Sequence, residues 1–344
     1  MKFIVDAYIP FIQGVLEPYG DVVYATPDKI TAESVRDADA LLVRTRTKIN
    51  RELLEGSRCR FVATATIGMD HFDTKWCMEN GITSINAPGC NAPAVAQYVF
   101  ASIGRLHKTP LEHTTLAIVG VGHVGGIVER WAKGLGMNVL RIDPPRQDAE
   151  GGNDWSTLYE AAEKADIITF HTPLTLSGKY PTHHLADEEF FNALKKKPLL
   201  INAARGPVAD NKAWLKTMRL GKLSASVIDV WEGEPAIDKE IMMAADISTP
   251  HIAGYSLDGK IRATQMVLDG LSNFFNLPPL KADSRKACDI PEFITIDAAV
   301  SSYNPLSDTL LMRSEILKTQ NENELRTTFE HLRDFYNLRP EIQL

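Results

Sequence analysis

Two short segments carry residue types suited to proton transfer. "DVWEGEPAID" (229–238) holds Glu234 and "STPHIAGYS" (248–256) holds His251, each residue beside a proline at the edge of an apolar run. A carboxylate paired with an imidazole orients the ring and favours its charged form, while the ring itself titrates near neutrality and suits a general base. A third segment, "INAARGPVADNKAW", places Arg205 just past an apolar strand. Its planar guanidinium can grip a substrate carboxylate through two parallel hydrogen bonds. A base for a hydroxyl proton and a fixed cation for a carboxylate are what the oxidation of a 2-hydroxy acid requires. Singly, each residue reads as well as a helix-end arginine, a solvated glutamate or a hydrogen-bonded core histidine; their order along the chain favours the catalytic reading.

The hydride acceptor is suggested upstream. "VGVGHVGG" contains Gly120, Gly122 and Gly125, with His123 and Val124 between them, set between an expected strand and an expected helix. Glycines there let the backbone approach a pyrophosphate at a helix N-terminus, and Asp143, at the end of the next strand "NVLRID", is placed to accept hydrogen bonds from ribose hydroxyls. A carboxylate there repels a 2′-phosphate, so NAD is expected over NADP, with Arg141 and Arg146 nearby as the opposing signal.

The elements that must position these groups follow from the pattern. Short apolar runs "KFIV", "DVVYA", "ALLVRT", "RFVATAT" and "TSINAP" read as strands of a small α/β layer. "NAPAVAQYVFASIGRLHK" reads as a long buried helix entered through Asn91 and Pro93. Strands and helices then alternate up to "SASVIDVW", which indicates βαβ units and a parallel sheet covered on both faces. A further long helix, 257–275, ends at "NLPPL", and the tail shows one helical stripe: Leu325, Phe329, Leu332 and Tyr336, broadened by Phe335. The Pro-rich break suggests a unit standing apart, its stripe covered by a second copy of the chain.

Composition narrows the class. The 344 residues carry 37 basic and 44 acidic side chains, net −7, which gives no general attraction for nucleic acid or an anionic membrane. Four scattered cysteines lack metal-ligand spacing, so no metal is expected and the reading is a reduced, cytoplasmic protein without signal peptide or membrane span.

The ordered set of a dinucleotide loop, N-x-x-R-G at 202–206, an E-P pair and a T-P-H segment resembles the D-isomer-specific 2-hydroxyacid dehydrogenases over about residues 1–280. "VRTRTKIN", "TATIGMDHFD", "APGCNAPAVAQYVF", "DPPR" and "TPHIAGYSLDGKIRAT" sharpen the resemblance, and "FEHLRDFYNLRPE" is similar to a dimerisation domain found in one branch of that family. The resemblance implies two doubly wound parallel-sheet α/β domains, a Rossmann NAD domain (91–254) and a flavodoxin-like substrate domain (1–90 and 255–284), plus a small C-terminal α+β dimerisation domain (285–344). It also implies Arg205, Glu234 and His251 as catalytic residues. Asp143, Thr172, Asp229 and Gly254 would touch NAD beside the glycine loop, and Arg44, Thr45, Thr66 and Tyr255 would touch substrate. The implied activity is NAD-dependent oxidation of a small phosphorylated 2-hydroxy acid, 4-phospho-D-erythronate, in vitamin B6 biosynthesis by a homodimer. Rivals are another D-2-hydroxy acid such as 3-phosphoglycerate or glyoxylate, and a dinucleotide-sensing regulator that has lost turnover.

Overall fold

A computed structural model describes residues 1–283 and 286–343. The chain divides into two compact units, Met1–Asn91 with Ser256–Cys288, and Ala92–Tyr255 with Asp289–Leu344. The boundary expected between residues 284 and 285 lies outside the described residues.

In the first unit, strands β1 (Lys2–Asp6), β2 (Asp21–Ala25), β3 (Ala40–Val43), β4 (Phe61–Thr64) and β5 (Thr83–Ile85) form one parallel sheet in the order β2-β1-β3-β4-β5. β1, β3 and β4 are buried along nearly their whole length, so their apolar runs show little alternation. One face packs on the helix Leu257–Phe275 through Phe3, Phe61, Val267 and Leu271; the other covers Val35, Leu53 and Cys77. Strand order reverses between β1 and β3, which puts the ends of those two strands at the point where ligands gather in open α/β sheets.

The second unit holds β6 (Thr115–Val119), β7 (Asn138–Ile142), β8 (Ile167–Phe170), β9 (Leu199–Asn202), β10 (Ala225–Ile228) and β11 (Ile247–Ser248), again all parallel, in the order β11-β10-β9-β8-β6-β7. The helices Ala92–Leu106 and His123–Gly134 cover one face around Phe100 and Trp131, and Phe191, Trp214 and Trp231 fill the other. Here the switch point lies between β6 and β8. The expected doubly wound parallel sheets are therefore both present.

The tail differs from expectation in two ways. Among the described residues its named elements are three helices, Ile296–Ser302, Pro305–Ile316 and Glu322–Asp334, rather than a mixed α+β unit. Each begins at a side-chain cap, Thr295, Asn304 and Asn321, which hydrogen-bonds an otherwise unpaired backbone N–H. The stripe is also covered by the chain itself. Leu325 and Phe329 are buried with Met312 and Ile316 in the second unit's core, and each such burial contributes roughly 1.5–3 kcal/mol. Only Phe335 of that set stays largely exposed, at 75%. The stripe consequently gives no argument for a partner.

Candidate active site

The dinucleotide loop leaves β6 at Gly120, whose φ of +91° lies in the region that glycine enters freely. A Cβ at Gly120 would come within 2.8 Å of the backbone of His171 and Thr172, so the switch point closes backbone to backbone. At Gly125 a Cβ would meet the carbonyl oxygen of Gly120 at 2.1 Å, so this glycine sets the approach of helix to strand. Around the Cβ direction of Gly122, by contrast, the nearest 4 Å is open. The helix His123–Gly134 starts from Gly122 without a side-chain cap, so the first-turn amides of His123, Val124 and their neighbours are available to an anion. Beside them the Thr172 hydroxyl is enclosed and has no partner among the described residues. An open approach, uncapped amides and an unpartnered hydroxyl fit a pyrophosphate.

Asp143 ends β7 and reaches back. One carboxylate oxygen accepts the Val121 N–H at 2.8 Å and the other caps Arg146 N at 3.1 Å. The two nearby arginines are engaged with acids: Arg146 Nε with Glu150 at 2.7 Å, and Arg141 Nε with Glu129 at 3.5 Å, its guanidinium lying 4.1 Å above the Trp155 ring. Both are engaged locally, and the Asp143 carboxylate stands at the strand end.

Glu234 and His251 come from the loops after β10 and β11. His251 Nδ1 and Glu234 Oε2 lie 2.8 Å apart, and Glu234 Oε1 accepts the Trp231 N–H at 2.7 Å. Burial pushes the Glu234 carboxyl up, but the His251 ring, the Trp231 amide and the nearby Arg333 together hold it below its ordinary value. His251 is a non-glycine residue at φ +58°, a conformation that costs of order 1–3 kcal/mol and persists where neighbours impose it. The neighbour here is Asp229. Its backbone oxygen accepts His251 N–H at 2.8 Å, and its buried carboxylate accepts Ile252 N–H at 2.8 Å, Ala253 N–H at 2.9 Å and the Thr249 hydroxyl at 2.6 Å. Burial raises the Asp229 carboxyl despite these donors and the His251 charge. Gly254 and Tyr255 follow in the same loop, closed by a Tyr255 N–H to Ile252 carbonyl bond of 2.8 Å.

Arg205 leaves the neighbouring strand β9. Its carbonyl accepts from Asn202 Nδ2 at 3.0 Å, and its guanidinium donates to the Ala204 carbonyl at 2.8 Å. Among the described residues it makes no hydrogen bond to the His251–Glu234 pair. Gly206 follows because nothing larger fits: a Cβ there would lie 2.0 Å from the Trp231 carbonyl.

In the first unit β3 ends at Val43, so Arg44, Thr45 and Arg46 lie in a loop and are released from strand alternation. Arg44 Nε meets the fully buried Asp6 at 3.2 Å across the switch point, its guanidinium 4.9 Å above the Tyr8 ring. Thr66, just beyond β4, shares a 2.6 Å hydrogen bond with the Thr64 hydroxyl. Thr45 borders a cavity of about 530 Å³ together with Arg46, Lys48, Asn50 and His71.

The sequence reading assigned no chemistry to two arginines of the tail. Arg333 stands near Glu234 and Tyr255, its Nε enclosed and, among the described residues, without a hydrogen-bond partner. Arg339 is 7% exposed and bonds the loop after His251. "NLRPE" was visible as a motif; which loop it meets was not.

The chain is similar to known proteins. Residues 94–253 match the family model described as D-isomer specific 2-hydroxyacid dehydrogenase, NAD binding domain. The chain is 45% identical to the erythronate-4-phosphate dehydrogenase of Bacteroides thetaiotaomicron, over 99% of this chain and 97% of that protein. It is 42% identical to that of Klebsiella pneumoniae, over 91% and 82%. The chain belongs to the erythronate-4-phosphate dehydrogenases of the D-isomer specific 2-hydroxyacid dehydrogenase family. D-lactate dehydrogenase from Aquifex aeolicus, solved with NAD and lactic acid, superposes with a TM-score of 0.67 at 27% identity, covering 80% of this chain and 96% of its own. D-2-hydroxyisocaproate dehydrogenase shares the fold, with a TM-score of 0.68 at 21% identity over 83% and 100%. Residues 94–253 are accordingly an NAD-binding domain, and the chain is an NAD-dependent oxidoreductase.

Proposed function

We propose that the chain oxidises 4-phospho-D-erythronate at C2 with NAD+, giving 2-oxo-3-hydroxy-4-phosphobutanoate and NADH, as a step of vitamin B6 biosynthesis. The observation that carries the reading is the 2.8 Å contact between His251 Nδ1 and Glu234, which leaves Nε2 as the nitrogen for substrate. His251 takes the proton of the C2 hydroxyl while the C2 hydride leaves; Glu234 stabilises the imidazolium that forms. NAD+ supplies the hydride acceptor. Arg205 holds the substrate carboxylate, and its position on a loop whose backbone is pinned by Asn202 and Gly206 limits the cost of orienting it. Asp143 takes the adenosine ribose hydroxyls; Thr172 and Gly254 line the NAD path, and Asp229 serves it by shaping the loop that it holds. Arg44, Thr45, Thr66 and Tyr255 are the further residues assigned to substrate.

An NADH-absorbance assay with a trap for the 2-oxo product tests this, using 4-phospho-D-erythronate, 3-phosphoglycerate and glyoxylate, the last with NADH. The highest kcat/KM is expected for the first. A preference for either rival would reassign the substrate, and binding of NAD without turnover of any would support a regulator.

The finer assembly is also part of the proposal. We place the enzyme in the cytoplasm, in keeping with its four free cysteines. None of the described helices is long and apolar enough to cross a membrane. We infer a homodimer formed through the tail, where Leu310 is 68% exposed and Leu311 and Leu317 also face solvent. These side chains, and not the Leu325 stripe, are the apolar surface a second copy would cover. Sedimentation should show a dimer that Leu310→Glu with Leu311→Glu dissociates; a monomeric parent protein would end the idea.

A further inference from the structure

The loop that bears His251 is held from two sides. On one side the Asp229 carboxylate takes the N–H groups of Ile252 and Ala253. On the other, the guanidinium of Arg339, near the end of the chain, donates to the carbonyls of Ile252 and Tyr255, each at 3.1 Å, and to that of Ala253. An anion on the amides and a cation on the carbonyls of the same four-residue stretch fix its peptide planes, and with them the left-handed turn at His251. Arg339 is itself immobilised. Gln97 Oε1 accepts its Nε at 3.2 Å, the Ala94 carbonyl accepts Nη2 at 3.2 Å, and the Tyr303 ring lies 4.1 Å from its Cζ.

We propose that Arg339 is a positioning residue for the reaction: the C-terminal tail completes the active site by holding the carbonyl side of the His251–Tyr255 loop. A lysine cannot replace it, because one ammonium does not present the flat fork of donors that reaches several carbonyls at once. The inference rests on His251 being the base.

The test uses the full chain with Arg339→Lys and Arg339→Gln, counting active sites by NADH binding. Per NADH-binding site, kcat is expected to fall about 10²-fold, as for a small misplacement of a reacting group, with the NADH Kd within about twofold of the parent and a larger isotope effect on substrate deuterated at C2. A purely structural role would instead lower the melting temperature and the number of binding sites while kcat per site stayed intact, and that result overturns the proposal. Should both variants fail to fold, Gln97→Leu, which removes the acceptor of Arg339 Nε together with the bonds from Gln97 Nε2 to the Ser302 hydroxyl and the Pro340 carbonyl, is expected to lower kcat per site severalfold; an unchanged kcat in that variant overturns it equally. His251→Asn separates the two readings. If that variant keeps turnover, the base is misassigned; if it is inactive while Arg339→Lys turns over normally, the base stands and the positioning role falls.

Discussion

His251 Nδ1 and Glu234 Oε2 are 2.8 Å apart, although the two residues leave different strands of the second sheet. Removing the imidazole, His251→Ala, is expected to lower kcat by about 10²–10⁴-fold, the usual contribution of a positioned base. NAD binding should stay near that of the parent, since the glycine loop is untouched. Normal turnover by this variant would show that another group takes the proton.

Glu234 also sets a pH dependence. Its carboxyl is held below the ordinary 4.5, so it stays ionised throughout the neutral range, and its stabilising contribution is present above that value and lost as pH falls through the lower folded one. Glu234→Gln removes the negative partner of the imidazolium; kcat should drop and the acid limb of kcat/KM against pH should move to lower pH. An acid limb at the parent position would mean that the pair is not the titrating unit.

Asp143 follows the strand after the glycine loop, and its carboxylate is proposed to repel a 2′-phosphate. The parent enzyme should favour NAD+ over NADP+ in kcat/KM, and Asp143→Ala should narrow that ratio by about tenfold or more, since a hydrogen bond to a charged group contributes about 1.5–3 kcal/mol. Equal use of both cofactors by the parent enzyme contradicts the assignment.

Gly206 packs against backbone that cannot yield. A methyl group there would lie 2.0 Å from the Trp231 carbonyl and 2.6 Å from Glu232 N, so Gly206→Ala must displace either the Arg205 turn or the loop that leads to Glu234. The expected result is a loss of about 1–3 kcal/mol in urea unfolding with a lower kcat. An unaffected, fully active variant would show that the two loops are not closely packed.

His171 follows β8, with Nε2 3.0 Å from the Thr169 hydroxyl and Nδ1 enclosed. Part of the residue reaches the surface, but burial of the ring nitrogen pushes its pKa down to about 3 from 6.5. Below 6.5 the unfolded chain takes up a proton that the folded chain refuses, so stability falls with pH by about 1.4 kcal/mol per unit until about pH 3. Between pH 7 and pH 5 the parent protein should therefore lose about 1–2 kcal/mol more than His171→Asn in urea titrations. Equal losses would mean that this ring is not kept neutral.

The sequence by itself determined the alternation of apolar strands and amphipathic helices, hence both parallel sheets, and the glycine spacing of a dinucleotide domain, with Asp143 as its expected ribose partner. These are local signals: strand burial, turn glycines and strand-end carboxylates act within about twenty residues, and the chain need only fold regularly to deliver them. It also supplied Arg205, Glu234 and His251 as residue types, because each lies just beyond a strand of the same sheet. What the sequence could not decide was contact across long separations. That the tail stripe of Leu325 and Phe329 packs on the chain's own second unit, that Arg333 comes near Glu234 and that Arg339 grips the loop after His251 all depend on how distant segments pack. A hydrophobic stripe states only that it must be covered, and an arginine only that its charge must be satisfied. Which surface and which carbonyls do so is settled by packing, a property of the folded chain as a whole.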